Sequence, residues 1–218
     1  MKNSFGSCRY AVILRLNNVL TTSLFIFLLI GTFNAFAQDS KDGKGQGSFG
    51  VNTNPAYFVL GGYSIRTIYH YPQKWSFGLN AEGGFTLPDD FRDLFFNDNQ
   101  RIDVDWDYAV AIEVRYRFTN ETYDKGFYAF GTLGFEGWTV EEISSEEEQN
   151  FDNWFSSVGI GYNWYPFQKK HFNLGVNYNI IFILNNTADQ VVGNTSFNIE
   201  QVVPPSIVPS SITLGWRF

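Results

Sequence analysis

Thiol, thioether and imidazole groups are nearly absent from this chain: one Cys, one Met and two His occur in 218 residues. A single cysteine, Cys8, leaves no pair for a disulfide. Two histidines, His70 and His171, give a His-based metal cluster or acid–base relay little to draw on. Basic residues are outnumbered by acids, 15 against 22, so the net charge is −7 and no basic patch invites nucleic acid. No Gly-rich phosphate loop occurs. Beyond the first residues no apolar run reaches the ~18 residues of a helical membrane span. These absences point away from enzymes, metal carriers and nucleic-acid binders. No catalytic residue, metal or cofactor is assigned.

Aromatic residues, in contrast, are plentiful. They make up 19% of the chain, and Phe alone occurs 23 times. The N-terminus has its own pattern: Lys2, Arg9 and Arg15, then the apolar run Leu24 to Gly31, then Ala35-Phe36-Ala37 before Gln38. A positive region, a short apolar core and a small-x-small site read as a secretory signal peptide, residues 1–37. Cleavage after Ala37 removes Cys8 and three basic residues, leaving 12 basic against 22 acidic residues and a net charge of −10. Residues 38–47, polar and Gly-rich, read as a flexible lead-in.

From Ser48 onward the chain alternates with period 2, the signature of strands. Eight are expected, over 48–52, 57–71, 75–85, 101–118, 127–140, 153–165, 172–184 and 207–218. One face carries Val110, Ile112, Val114, Tyr116 and Phe118, or Val158, Ile160, Tyr162 and Trp164. The other is Gly, Ser, Asn, Glu and Arg. A soluble barrel would turn the apolar face inward, and a polar face of this kind is a poor lining for an apolar cavity. An apolar face that is aliphatic in its middle and aromatic at its turn end suits lipid.

The connections sort by length. Tyr71, Phe118 and Tyr165, each beside a short turn, recur at intervals of 47 residues. Thr86 to Gln100, Glu141 to Asn150 and Asn185 to Pro205 are longer and polar. Short turns at one end and long loops at the other mark a transmembrane barrel. Several strands exceed the ~9–11 residues that cross lipid, so the sheet is expected to project above it.

At the C-terminus, Ile212, Leu214, Trp216 and Phe218 share one strand face. The stretch resembles the signal by which the barrel-assembly machinery recognises its clients, with Thr213 where that pattern often has Gly. With the leader, the eight strands and the aromatic turn flanks, the chain from Ser48 resembles the small OmpA/OmpX-like outer-membrane β-barrel superfamily. The resemblance implies an all-β fold, an eight-stranded antiparallel up-and-down transmembrane barrel over residues 48–218. It implies an integral outer-membrane protein in contact with lipid and lipopolysaccharide, assembled by that machinery, without enzymatic activity, in a structural, surface-interaction or accessory role. A subunit of a larger envelope secretion or uptake complex, or a narrow porin-like channel, are the alternatives.

Alternation places Arg66, Glu82, Glu113, Arg115, Glu136 and Arg217 inside. Eight strands enclose a space just wide enough for side chains, and charges enclosed there must pair. An Arg/Glu network closing the lumen is therefore expected. Acids gather in the long loops: Asp89, Asp90, Asp93, Asp98, Asp103, Asp105 and Asp107, then Glu141, Glu142, Glu146, Glu147, Glu148 and Asp152. They read as a solvated rim or, through Asp103-x-Asp105-x-Asp107, as carboxylates for a divalent cation. Gly61-Gly62, Gly131 and Gly137 hint at a flattened outer patch.

Overall fold

The prolines among the described residues, Pro55, Pro72, Pro88 and Pro166, lie outside the strands of the barrel, as a hydrogen-bonded ladder requires. The computed structural model describes residues 47–97, 101–119, 123–167, 171–186, 188–203 and 212–218. The expected leader and nearly all of the lead-in lie outside these residues. Eight strands form the barrel: β1 Ser48–Thr53, β2 Tyr63–His70, β3 Trp75–Gly83, β4 Ile102–Arg117, β5 Gly126–Glu142, β6 Glu147–Trp164, β7 Phe172–Ile183 and β8 Ile212–Arg217. Each pairs antiparallel with the next, and β8 pairs back to β1 with Trp216 opposite Val51. The sheet is closed.

The strand phase is the one that the alternation gives. Leu79, Ile112, Leu133, Val158, Val176 and Trp216 point out and are exposed, while Ser76, Asn80, Glu113, Arg115, Asn163 and Asn173 are buried within. An exterior of large apolar side chains around a polar interior inverts the pattern of a water-soluble barrel.

The wall is uneven in height. β4, β5 and β6 run for 16, 17 and 18 residues, against 6, 8 and 9 for β1, β2 and β3. At ~3.3 Å per residue the tall strands outreach a bilayer and carry a lobe beyond it. Two expectations change here. The polar stretch 141–150 is not a long loop: β5 and β6 pair up to Glu142 opposite Glu147, leaving only 143–146 as the turn. The second strand does not begin at Tyr57. Helix α1, Pro55–Val59, occupies that place, capped by the Asn54 side chain, which accepts from Ala56 N at 3.0 Å, with Pro55 preset for the first turn.

Within the lobe the sheet has an apolar inner face. Asp107 is unpaired at a bulge between Trp106 and Tyr108, and the extra residue puts both Val104 and Ala109 inside. Ile102, Val104, Val140 and Phe151 pack there with Trp138, Phe96 and Phe197. Helix α2, Asp89–Phe95, supplies Phe91 and Phe95 to the same core. A small sheet of Phe96–Asn97, Gln190–Val192 and Thr195–Ile199 covers it, its hairpin turned by Gly193 at φ +56°.

Candidate functional site: the barrel interior

The turn half of the interior is built on β4, whose inward positions read Glu113, Arg115 and Arg117. All three side chains are buried, at 1% exposure or less. Arg115 Nε donates to Glu113 Oε1, and its Nη1 donates to Asp124 Oδ2 at 2.7 Å. Arg66 from β2 donates to Asn80 Oδ1 at 2.9 Å and lies 3.4 Å from Glu113 Oε2, to which Asn80 also donates. Arg117 Nη2 donates to the carbonyls of Tyr71 and Gln73, tying the first turn to the wall. The Arg115 guanidinium stacks over the Tyr128 ring at 4.5 Å.

Of the six inward charges assigned from the sequence, Arg66, Glu113 and Arg115 meet in this cluster. Arg217 sits at the turn end, its guanidinium 4.2 Å from the Tyr123 ring centre. Glu82 and Glu136 stand higher, outside the cluster. Asp124 was not anticipated. It belongs to the turn between β4 and β5, yet its carboxylate folds inside and accepts from Ser76 Oγ at 2.8 Å and Arg115. Burial opposes its charge, but His70 and Arg115 hold its carboxyl well below the usual carboxylate range. The sequence carried one signal for it. Arg115, Arg117, Arg217 and His70 crowd the turn end with Glu113 as the one strand acid, so a second acid had to come from a turn.

Ser76, His70 and Asp124 share this pocket, but not as a catalytic triad. Ser76 Oγ and Asp124 Oδ1 lie at the same ring nitrogen, His70 Nδ1, at 3.1 and 3.2 Å. A triad sets the nucleophile and the carboxylate on opposite ring nitrogens. All three residues are also closed off from solvent.

Above the cluster the interior opens into a chamber of about 140 Å³. Its lining includes the polar Arg66, Asn80, Glu82 and Glu136 and the aromatic Tyr57, Phe85, Trp106 and Trp138. The two tryptophans are stacked, 5.5 Å between centroids and 13° apart in plane.

Part of the acidic rim is engaged with donors of its own. Arg92 bridges Asp89 and Asp103 at 2.7 and 2.9 Å. Thr86 donates to Asp105, and Thr139 donates to Asp107 at 2.8 Å. The bulge separates Asp107 from the ladder that holds the other two. Glu142 is buried and accepts from Thr195 Oγ1 at 2.7 Å and Asn194 N at 3.2 Å. Asp98 and the Asp90 side chain lie outside the described part. Of the glycines singled out from the sequence, a side chain at Gly61 would meet nothing within 4 Å and one at Gly131 only the Ser157 carbonyl at 3.6 Å, whereas the other two are crowded. Gly137 lies beneath the Tyr108 ring, and Gly62 abuts Gly83 and Phe85.

On the last strand, Ile212 and Trp216 are each half exposed on the outer wall. Trp216 stacks on His171 at 5.7 Å, and Phe218 N donates to Phe49 O at 2.7 Å. The apolar terminal face therefore lies on the outer wall, on strand β8 held between β7 and β1. A closed eight-stranded sheet, apolar outside and charged inside, has one solvent that suits it. The fold is that of a small outer-membrane barrel.

No protein-family model and no curated protein matches the sequence. Among solved structures the chain is similar to Ail, the attachment invasion locus protein of Yersinia pestis, at 12% identity over 80% of this chain and 99% of that one, with a TM-score of 0.36. It is similar also to the N-terminal β-barrel domain of Pseudomonas aeruginosa OprF, at 11% identity over 81% and 100% with a TM-score of 0.37. Neisserial surface protein A gives 15% identity over 78% and 94%, with a TM-score of 0.32. Likeness at that level passes none of those proteins' properties to this chain.

Proposed function

We propose that this chain is a non-enzymatic outer-membrane barrel with a lumen closed by side chains, acting at the cell surface through the lobe on its tall strands. The observation that carries this reading is the cluster of Arg66, Glu113, Arg115, Arg117 and Asp124. It fills the turn half of an interior that offers room for side chains and little else. A hydrated ion has no path through guanidinium–carboxylate pairs this deeply buried. The lobe, with its own aromatic core and acidic rim, is the part left to meet other molecules.

The outer wall contacts membrane lipid, and the rim faces lipopolysaccharide. Ile212, Leu214, Trp216 and Phe218 serve as the face that the barrel-assembly machinery reads before insertion.

Planar-bilayer recording tests the closed lumen. The intact barrel is expected to give no steady conductance. Arg115→Ala combined with Asp124→Ala, which empties the middle of the cluster, is expected to admit small ions. A steady, ohmic current from the unaltered protein would overturn the closed lumen and favour a narrow porin-like channel.

A further inference from the structure

The chamber above the charge cluster has a chemical character that the closed lumen does not use. Glu136 lines it and is buried to 4% exposure, yet its Oε1 has no hydrogen-bond partner. The Trp138 indole N–H lies near enough to act on this carboxyl, but it does not close a hydrogen bond of good geometry with it. Glu82 lines the same space and makes no ion pair among the described residues. Arg66, the one guanidinium in the lining, is already committed to Glu113 and Asn80. Two carboxyl groups thus face the chamber with one shared guanidinium, Arg66, which acts on Glu82 but is bound to Glu113 and Asn80; buried groups of this kind must hold a proton or gain a cation.

The aromatic part of the lining is continuous. Tyr57 lies 5.1 Å from Phe85 and 5.6 Å from Trp106, and Trp106 stacks on Trp138. Ring faces attract cations and accept apolar bodies, whereas they offer nothing to an anion. A bare metal ion is usually held by a cluster of charged ligands, and among the described residues no three His, Cys, Asp or Glu side chains come together to form one. The volume, about 140 Å³, is close to the ~150 Å³ of a cavity that accepts benzene.

We infer that the external half of the barrel interior is a binding site for a small organic ammonium ion carrying an apolar body about the size of one aromatic ring. The ammonium group pairs with Glu136 and Glu82, and the apolar body lies against Trp106 and Trp138. The bound cation gives Glu136 Oε1 the partner it lacks. The site is separate from the turn-half cluster and holds whether or not the barrel conducts.

The test is calorimetry on the full barrel in lipid nanodiscs, free of detergent that would compete for the chamber. The probe is phenethylammonium, and its counterpart is 3-phenylpropanoate, with a similar apolar body and the opposite charge. Phenethylammonium is expected to bind one to one, quench tryptophan fluorescence, and bind at least tenfold tighter than phenylpropanoate. Glu136→Gln should weaken it at least tenfold. Glu82→Gln, at a part-exposed position, carries the same expectation if the first variant fails to fold. Equal binding of the two probes would make the chamber a plain apolar hole and overturn the inference. So would no binding of either, or unchanged affinity in a folded Gln variant.

Discussion

Arg115 answers two buried acids at once, and no other donor could replace it at both. Removing it leaves Glu113 without its main counter-charge and Asp124 with His70 but without that guanidinium, and breaking a buried pair in this way costs about 3–5 kcal/mol. Arg115→Ala is therefore expected to melt well below the parent when followed by heat-dependent gel migration. Arg115→Lys, which keeps the charge but loses the two-pronged geometry, should fall between them. An unchanged melting temperature in Arg115→Ala would mean that the cluster adds nothing to stability. Asp124 adds a pH dependence whose sign is fixed. Its carboxyl is held below its ordinary range in the folded chain, so its contribution is complete above the unfolded value of ~3.9. That contribution fades as pH falls through this value toward the lower folded one. Asp124→Asn should be less stable at neutral pH and show a shallower loss below pH ~4, read from denaturant midpoints across pH. Matching acid limbs in the two proteins would remove Asp124 from the account.

At the scale of elements, exposure alone does not say which solvent a side chain meets. Ile112 on β4 and Val191 on the covering sheet are 54% and 57% exposed, but one faces lipid and the other water. Arg at Ile112 should cost about 2–4 kcal/mol near the bilayer middle, and Arg at Val191 almost nothing. Refolding into vesicles against denaturant measures both, and similar losses would place the membrane belt wrongly. This inside–outside contrast is also what made the strands legible. Lipid on one side and packed charge on the other force a strict alternation, so Ile112 against Glu113 or Val176 against Asn177 reveals the phase from sequence alone. Legibility fails where that contrast stops. Pro55–Val59 is too short for a 3.6-residue period to show, and Asn54-Pro55 was the only helix signal in it. The bulge at Asp107 shifts the phase by one residue with no compositional mark. Glu141 to Asn150 reads as loop from its acids, yet it pairs in a ladder because Val140 and Phe151 anchor the hairpin to a core. Asp124 was hidden because a turn residue has no alternation to place it.

The whole molecule sets two opposite solvation patterns on one sheet. Near the turns, β4 to β6 are apolar outside, with charges inside on β4 and mainly polar or aromatic side chains on β5 and β6; in the lobe they are polar outside and apolar inside. The change falls at Trp106 and Trp138, just above Glu136 and beside the bulge. Below that level, continuous pairing around the whole barrel holds the wall, and a closed ladder has no edge from which to fray. Above it, β4 to β6 still pair with one another but depend on side-chain packing as well, since β1 and β2 are too short to accompany them. The two parts should therefore differ in how they fail. Trp138 is 2% exposed and contacts Phe95, Phe96 and Trp106, so truncating it removes the centre of the lobe core, a loss of about 3–5 kcal/mol. Trp138→Ala is expected to lose hydrogen-exchange protection in α2 and the covering sheet while the amides of β7 and β8 stay protected and the barrel keeps its heat-dependent migration. Protection lost everywhere together would mean that lobe and barrel fold as one cooperative unit, with the packing above the membrane supporting the ladder within it.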